Sequence, residues 1–198
     1  FIGTGAPRAR DLAKLEGRQE ADNNIHLGID WLASVAFEHI DSIGEKVLVL
    51  GGGNTAMDCC RTARRIGGKD VRIVVRSPEA DMKASPWEIE DAKHEGIPMY
   101  ENHTPKAFVH ENGKLVGMLF ELVKPEYAEN GKRTLVATGE PDVFMACDDV
   151  LMALGQMNSF PWIERDLGIE FNDWEMPEVD KTTFQTSLKN IFVGGDAA

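Results

Sequence analysis

A glycine-rich hexapeptide in the first half of the chain has the composition and spacing of a dinucleotide-binding turn. It consists of Gly51, Gly52, Gly53, Asn54, Thr55 and Ala56. In a G-x-G-x-x-A pattern the first glycine permits a tight turn, and the second lets a pyrophosphate approach the backbone. The alanine is small enough for a helix to pack closely on a strand. The pattern alone is weak, because glycine-rich turns also occur in other α/β folds, so the flanking elements must decide.

Regular elements are predicted on both sides of this turn. Lys46–Leu50 is a short apolar run typical of a strand buried on both faces, and residues 71–75 repeat that pattern. Between them, residues 54–66 have apolar side chains at helical spacing, and Gly67-Gly68 follows where a helix would end. A strand, glycine turn, helix and second strand form the smallest unit of a parallel doubly wound sheet. We therefore predict a dinucleotide whose pyrophosphate meets the N–H groups at the start of this helix.

The residues after the second predicted strand indicate which dinucleotide is bound. An NAD site usually has Asp or Glu there, whereas this chain has Arg76 and Ser77. A guanidinium can bind a 2′-phosphate through two hydrogen bonds, so the pattern favours NADPH. Further basic residues lie near Arg76 in the sequence: Arg61, Arg64, Arg65, Lys69 and Arg72. For the three arginines of the helix, the alternative stays open that they only solvate it and complement its C-terminal dipole.

Two further helices are predicted. Residues 28–40 form a short amphipathic stretch. Ser85 and Glu88 have the spacing of a capping box, and Pro86 stands at the first helical position, so a helix is expected to begin there. After that helix, residues 97–100 are candidates for a return to the parallel sheet.

The second half of the chain predicts antiparallel strands. The pair Asn112-Gly113 favours the positive φ angles of a tight turn, which makes residues 107–123 a β-hairpin. Residues 134–138 and 143–147 are expected to pair with each other, and residues 150–154 to form another buried strand. The predicted fold is thus α/β, a Rossmann-like parallel sheet with an inserted antiparallel β-meander.

The composition excludes several classes of function. A net charge of −12 is unfavourable for nucleic acid or an anionic membrane, since both require a basic surface. The sequence contains no run of about 18 or more apolar residues, the length needed to span a membrane, and no signal peptide is visible. The cysteines Cys59, Cys60 and Cys147 lack the spacing of a metal site or a redox disulfide. We therefore expect free thiols in a reducing cytoplasm and no metal.

Several motifs in order along the chain resemble a known flavoprotein family. Residues 51–58, Val75-Arg76 and residues 79–82 are similar to the small (β) subunit of NADPH-dependent glutamate synthase. The NADPH/FAD portion of dihydropyrimidine dehydrogenase is similar in the same places. Residues 1–7 resemble the segment where that family's FAD domain leads into its NADPH domain. The family's usual second arginine after Arg76 is Ser77 here, which implies a weaker hold on the 2′-phosphate.

The resemblance also implies roles for residues near the end of the chain. Gly155 and Gln156 resemble the crossing back to the FAD domain. Gly195 and Asp196 resemble a motif whose aspartate hydrogen-bonds the ribityl chain of the flavin. Because both ends of the chain lie inside motifs, we expect it to be a piece of a longer protein that holds FAD mainly through residues outside it.

The implied domains are an FAD-domain remnant and linker over residues 1–44, an NADP(H)-binding domain over residues 45–157, and a return segment over residues 158–198. The implied function is an NADPH-dependent FAD oxidoreductase, inactive as an isolated piece. In the parent protein it would pass hydride between NADPH and FAD, and electrons onward to iron–sulfur clusters. A larger catalytic subunit is a candidate partner. No side chain is expected to act as a catalytic acid or base, because the cofactors supply the chemistry.

Two other classes of protein share parts of this pattern. Thioredoxin reductase-like enzymes share the plan of two dinucleotide-binding domains, but they require a Cys-x-x-Cys motif that this sequence lacks. A non-catalytic Rossmann-like module, which senses a nucleotide or docks a partner, is the alternative from another class.

Overall fold

The computed structural model describes residues 1–127 and 133–197. Its strands, in chain order, are β1 Arg8–Ala9, β2 Ile25–Leu27, β3 Lys46–Leu50, β4 Asp70–Val74, β5 Met99–Tyr100, β6 His103–Glu111, β7 Lys114–Tyr127, β8 Arg133–Ala137, β9 Val143–Ala146, β10 Asp149–Met152 and β11 Gln156–Met157. Its α-helices are α1 Gly28–Ala36, α2 Asn54–Arg65 and α3 Pro86–His94. The chain divides into two compact units, one of Arg10–Gly155 and one of Phe1–Ala9 with Gln156–Ala198.

The larger unit is built on a five-stranded parallel sheet in the order β2-β10-β3-β4-β5. Neighbouring strands are in parallel register, so their carboxyl ends lie at one edge. The four residues after Lys46 in β3 are all buried, which is the expected pattern for a strand covered on both faces. The strand, turn, helix and strand predicted around residues 46–75 are therefore confirmed.

The side chains of β3 alternate between two hydrophobic clusters. Val47 and Val49 pack with the helices on one face of the sheet. Leu48 and Leu50 face the other cluster, which contains Phe120 and other residues of the antiparallel strands. The larger unit therefore has three layers: helices, parallel sheet and antiparallel sheet.

The antiparallel sheet differs from the predicted meander in its pairing. The hairpin β6–β7 is confirmed, and Asn112 and Gly113 have φ angles of 53° and 79°. The prediction that β8 and β9 pair with each other is wrong, because both pair with β7. The strand β7 has 14 residues, and β8 and β9 bond to successive stretches of it. A strand of that length offers hydrogen-bonding groups to both partners, which pair with it instead of with each other.

The residues between Arg10 and β3 pack against the larger unit, which a linker would not do. The strand β2 was missed, because three residues are too short for a periodic signal. Arg18 is buried, and its Nε and Nη2 donate to the two carboxylate oxygens of Asp11 at 3.0 and 3.1 Å. Gly17 has a φ of 76°, and a Cβ there would lie 2.0 Å from the carbonyl oxygen of Phe108. This segment is therefore part of the larger unit, and the domain limits proposed from the sequence stay a prediction.

The smaller unit has its own short pairings and core. Strands β1 and β11 are antiparallel, and Ile2 forms a parallel bridge with Val193. Its buried side chains include Phe160 and Ile163. Among the described residues of the whole chain, no helix has the length and apolar character needed to cross a bilayer.

Candidate functional site

The glycine turn lies at the carboxyl edge of the parallel sheet, between β3 and α2. Gly51 has a φ of 133°, and a Cβ there would lie 2.2 Å from the carbonyl oxygen of Ala153, so glycine is required. At Gly52, a Cβ would lie 3.0 Å from the Met82 side chain. Gly53 is different, because a Cβ there would meet no atom within 4 Å. The surface above Gly53 is open.

Gly53 is also the N-cap of α2, and its backbone is extended, with φ −103° and ψ 176°. No side chain caps this helix. Within the described part of the chain, the N–H groups of Asn54 and Thr55 have no hydrogen-bond acceptor. Unpaired N–H groups at a helix start, together with the positive dipole end, favour an anion. Ala56 is fully buried, which lets α2 lie close to the sheet.

The side chain of Asn54 points at the start of α3. Its Oδ1 accepts the backbone N–H of Ser85 at 2.8 Å. The helix α3 begins at Pro86 as predicted, but Ser85 makes no capping hydrogen bond of its own. The amide of Asn54 therefore accepts the N–H that Glu88 would accept in a capping box. This contact joins the N-termini of two helices that the sequence separates by 31 residues.

The loop after β4 lies next to the glycine turn. Arg76 is exposed and makes no ion pair with any residue that the structure describes. Ser77 is half-buried, and its Oγ accepts a hydrogen bond of 2.8 Å from Nη2 of Arg133. Arg133 is the first residue of β8 and was not singled out from the sequence. The contact joins residues 56 apart, so no local pattern could have found it.

Most of the other basic residues near Arg76 in the sequence are paired with carboxylates. Nε of Arg61 and Nη2 of Arg65 each lie 2.7 Å from Glu95 Oε1. Although burial opposes ionisation of Glu95, hydrogen bonds from these two arginines lower the pKa of its carboxyl group. Arg72 pairs with Asp70. The pairs of Arg61 and Arg65 favour the structural interpretation of these helix arginines, whereas Arg76 is exposed and has no ion pair among the described residues.

The remaining candidate residues lie elsewhere. Gly155, with a φ of 98°, accepts the backbone N–H of Arg10 at 3.1 Å. Gln156 begins β11 in the smaller unit and is exposed. In the same unit, Gly195 has a φ of 68°, and Asp196 follows it with an exposed side chain. The structure therefore groups the glycine turn with Arg76 and Ser77 in the larger unit, while Gln156 and Asp196 belong to the smaller unit.

The three cysteines are buried and free. Burial is the main cause that raises the pKa of Cys60 and of Cys147 to about 12 each, so these thiols stay protonated at neutral pH. Over the described residues, no group of three or more His, Cys, Asp or Glu side chains has a geometry that could hold a metal ion.

Comparison with known proteins identifies the family. The model of the pyridine nucleotide-disulphide oxidoreductase family matches residues 1–198. The β subunit of NADP(+)-dependent formate dehydrogenase from Moorella thermoacetica is 33% identical over 99% of this chain and 28% of its own length. The small chain of NADPH glutamate synthase from Halomonas elongata is 35% identical over 87% of this chain and 39% of its own length.

A solved structure shows the same fold. Thioredoxin reductase from T. acidophilum superimposes with a TM-score of 0.70 at 18% identity, over 99% of this chain and 56% of the reductase.

The chain spans only about a quarter to two fifths of the length of the two curated relatives above. The resemblance to glutamate synthase small subunits inferred from the motifs is confirmed. Since the family model matches the whole sequence, the chain belongs to the pyridine nucleotide-disulphide oxidoreductase family.

Proposed function

We propose that this chain is the NADPH-binding part of a flavin-dependent oxidoreductase. The observation that carries the proposal is the open surface above Gly53, at the uncapped start of α2 and at the carboxyl edge of a parallel sheet. Ligands of open α/β sheets bind outside that edge. The pyrophosphate would lie over the turn from Gly51 to Ala56.

The backbone of the turn suits a pyrophosphate in shape and in charge. The absent side chain of Gly53 leaves room for phosphate oxygens next to the main chain. The unpaired N–H groups of Asn54 and Thr55 supply donors. This local positive potential exists in a chain whose net charge is −12, so an anion is attracted by the turn and not by the protein as a whole.

The choice of NADPH over NADH rests on Arg76 and Ser77. The ribose of the adenosine half would lie near the end of β4, where Arg76 and Ser77 stand in place of the carboxylate of a usual NAD site. Arg76 is exposed and unpaired in the described part of the chain, so its guanidinium can turn toward a 2′-phosphate.

The flavin part of the proposal concerns the longer protein. FAD, when bound, accepts a hydride and releases electrons one at a time. Gly155 and Gln156 would lie at the crossing to the flavin domain, and Asp196 beside Gly195 would bond the flavin. Residues 158–198, and of residues 1–44 the part before Arg10, would belong to that domain or its linker. Onward transfer to iron–sulfur clusters and assembly with a larger subunit are part of the same proposal, supported by the relatives named as subunits.

The state of the cysteines supports a reducing, cytoplasmic location for the protein. All three cysteines are free and buried, with the raised pKa values described above. Free thiols persist in a reducing compartment.

The proposal is tested by calorimetric titration of the purified 198-residue chain with NADPH and, separately, with NADH. Each partly solvated charge-assisted contact to the 2′-phosphate should favour NADPH about 10-fold. Arg76→Gln should therefore lower the preference about 10-fold by weakening NADPH alone. Arg65→Gln is the matched control, because it removes the same charge at the other end of α2, where Arg65 pairs with Glu95.

Two outcomes would overturn the proposal. A chain with native circular dichroism that binds neither nucleotide would refute the dinucleotide site. Equal weakening of NADPH and NADH by Arg76→Gln would refute the role of Arg76.

A further inference from the structure

A second arginine reaches the end of β4 from the antiparallel sheet. Nη2 of Arg133 donates to Ser77 Oγ at 2.8 Å, and Nη1 forms an ion pair with Asp81. Ser77 directly follows Arg76 in the chain. The guanidinium of Arg133 therefore lies beside the residues to which we assign the 2′-phosphate.

The hydrogen bonds of this group leave donors that can point at an anion. Because Ser77 Oγ accepts from Arg133, its own hydroxyl proton is available to donate elsewhere. A guanidinium has five N–H groups, and the contacts to Ser77 and Asp81 do not use them all. The side chain of Arg133 is 31% exposed, so a solute can reach it.

A 2′-phosphate needs more than one cation. A phosphate monoester has close to two negative charges at neutral pH and three strong acceptor oxygens. One guanidinium binds two of those oxygens. Arg76, Arg133 and the Ser77 hydroxyl together supply two cations and a neutral donor, which matches both the charge and the acceptors.

Asp81 sets the position of the second cation and also opposes the anion. Its side chain is 40% exposed, so the pair with Arg133 is screened by water and can loosen. A 2′-phosphate would compete with this carboxylate for the guanidinium. We therefore expect the ion pair to position the guanidinium of Arg133 and to leave some of its N–H groups free for the phosphate.

We propose that Arg133 is a specificity-determining residue that binds the 2′-phosphate of NADPH together with Arg76 and Ser77. The proposal rests on the NADPH site described above. The second cation of this site thus comes from β8, which lies outside the strand–turn–helix–strand unit.

The test compares three variants, Arg133→Gln, Arg133→Lys and Asp81→Asn, by calorimetry with NADPH and with NADH at low and at high salt. Arg133→Gln should bind NADPH about 10-fold more weakly and NADH with little change. Arg133→Lys should recover part of the loss, because it keeps the charge without the planar fork. The difference between wild type and Arg133→Gln should shrink at high salt.

The variant Asp81→Asn separates binding from structural support, because it breaks the same ion pair and keeps the cation. We expect NADPH affinity to stay the same or to increase. If Asp81→Asn lowers the NADPH-to-NADH affinity ratio as much as Arg133→Gln does, the ion pair only supports the loop and the inference is wrong.

The remaining outcomes distinguish this inference from the proposed function. A wild-type chain that prefers NADPH, with an unchanged ratio in Arg133→Gln, would overturn the inference alone. A wild-type chain without any preference for NADPH would overturn the proposed function and this inference with it.

Discussion

The same substitution at two glycines of one turn should separate stability from binding. Gly51→Ser and Gly53→Ser each add one small polar side chain, two residues apart. The structure assigns them different environments. At Gly51 the φ is 133° and the new Cβ would lie 2.2 Å from the carbonyl oxygen of Ala153. At Gly53 the φ is −103° and no atom lies within 4 Å of a Cβ.

The free energy of unfolding should fall for Gly51→Ser. Backbone strain at positive φ costs about 1–3 kcal/mol, and relief of the overlap with Ala153 adds about 1–3 kcal/mol. The sum is about 2–6 kcal/mol, a large share of the stability of most domains. Urea unfolding, followed by the fluorescence of the tryptophans, measures this loss.

The variant Gly53→Ser should be as stable as the wild type or more so. Its extended backbone is the usual N-cap conformation, and serine is a preferred N-cap residue, whose side chain can accept an N–H of the first turn of α2. The gain is roughly a few tenths of a kcal/mol, because glycine is itself a tolerated N-cap residue. The new side chain would occupy the space above the turn and take a donor from the pyrophosphate, so NADPH affinity should fall about 10- to 100-fold.

Calorimetry with NADPH on both variants completes the assay. A Gly53→Ser chain that binds NADPH as tightly as the wild type would refute the placement of the pyrophosphate. Equal destabilisation by the two substitutions would refute the geometry of the turn. A control, Ala33→Ser, adds the same hydroxyl at an exposed position of α1 and should leave NADPH binding unchanged.

Three further predictions concern other residues of the larger unit. Asp149 accepts hydrogen bonds from His26 and from the N–H of Gly44; these outweigh its burial and lower its pKa below 3.8. The stabilisation by this carboxylate should therefore be complete above about pH 4 and be lost as the pH falls through the lowered pKa, whereas unfolding of Asp149→Asn should depend less on pH in that range. Asn54→Ala should destabilise the chain by about 0.5–1 kcal/mol in urea unfolding, because the N–H of Ser85 loses its acceptor and only water replaces it; an unchanged midpoint would contradict this. The three buried thiols should react with iodoacetamide at pH 8 only after addition of denaturant, and rapid alkylation of the native chain, followed by mass spectrometry, would contradict the burial of Cys60 and the other two.

Local sequence patterns predicted the strand–turn–helix–strand unit well. The elements β3, α2 and β4 lie within one residue of the predicted limits, because apolar periodicity and terminal glycines act within a few neighbouring residues. The hairpin at Asn112-Gly113 was predictable for the same reason, since the turn depends on the backbone preferences of two residues.

Pairing between distant segments was less predictable. β8 and β9 have the alternating composition of strands, but that composition does not say which edge they bond. The length of β7 decided it, since both bond to that strand. The strand β2 has only three residues, and it forms because β10 offers an edge beside it.

The sequence by itself determined the glycine turn and the presence of Arg76 and Ser77, in place of the usual carboxylate, shortly after β4, since each depends on residues adjacent in the chain. Only the tertiary structure decided which charges remain available. Folding pairs Arg61 and Arg65 with Glu95, leaves Arg76 in solvent and brings Arg133 to Ser77. The physical reason is that electrostatic interactions depend on distance in space, and residues far apart in sequence become neighbours only when the sheets are packed.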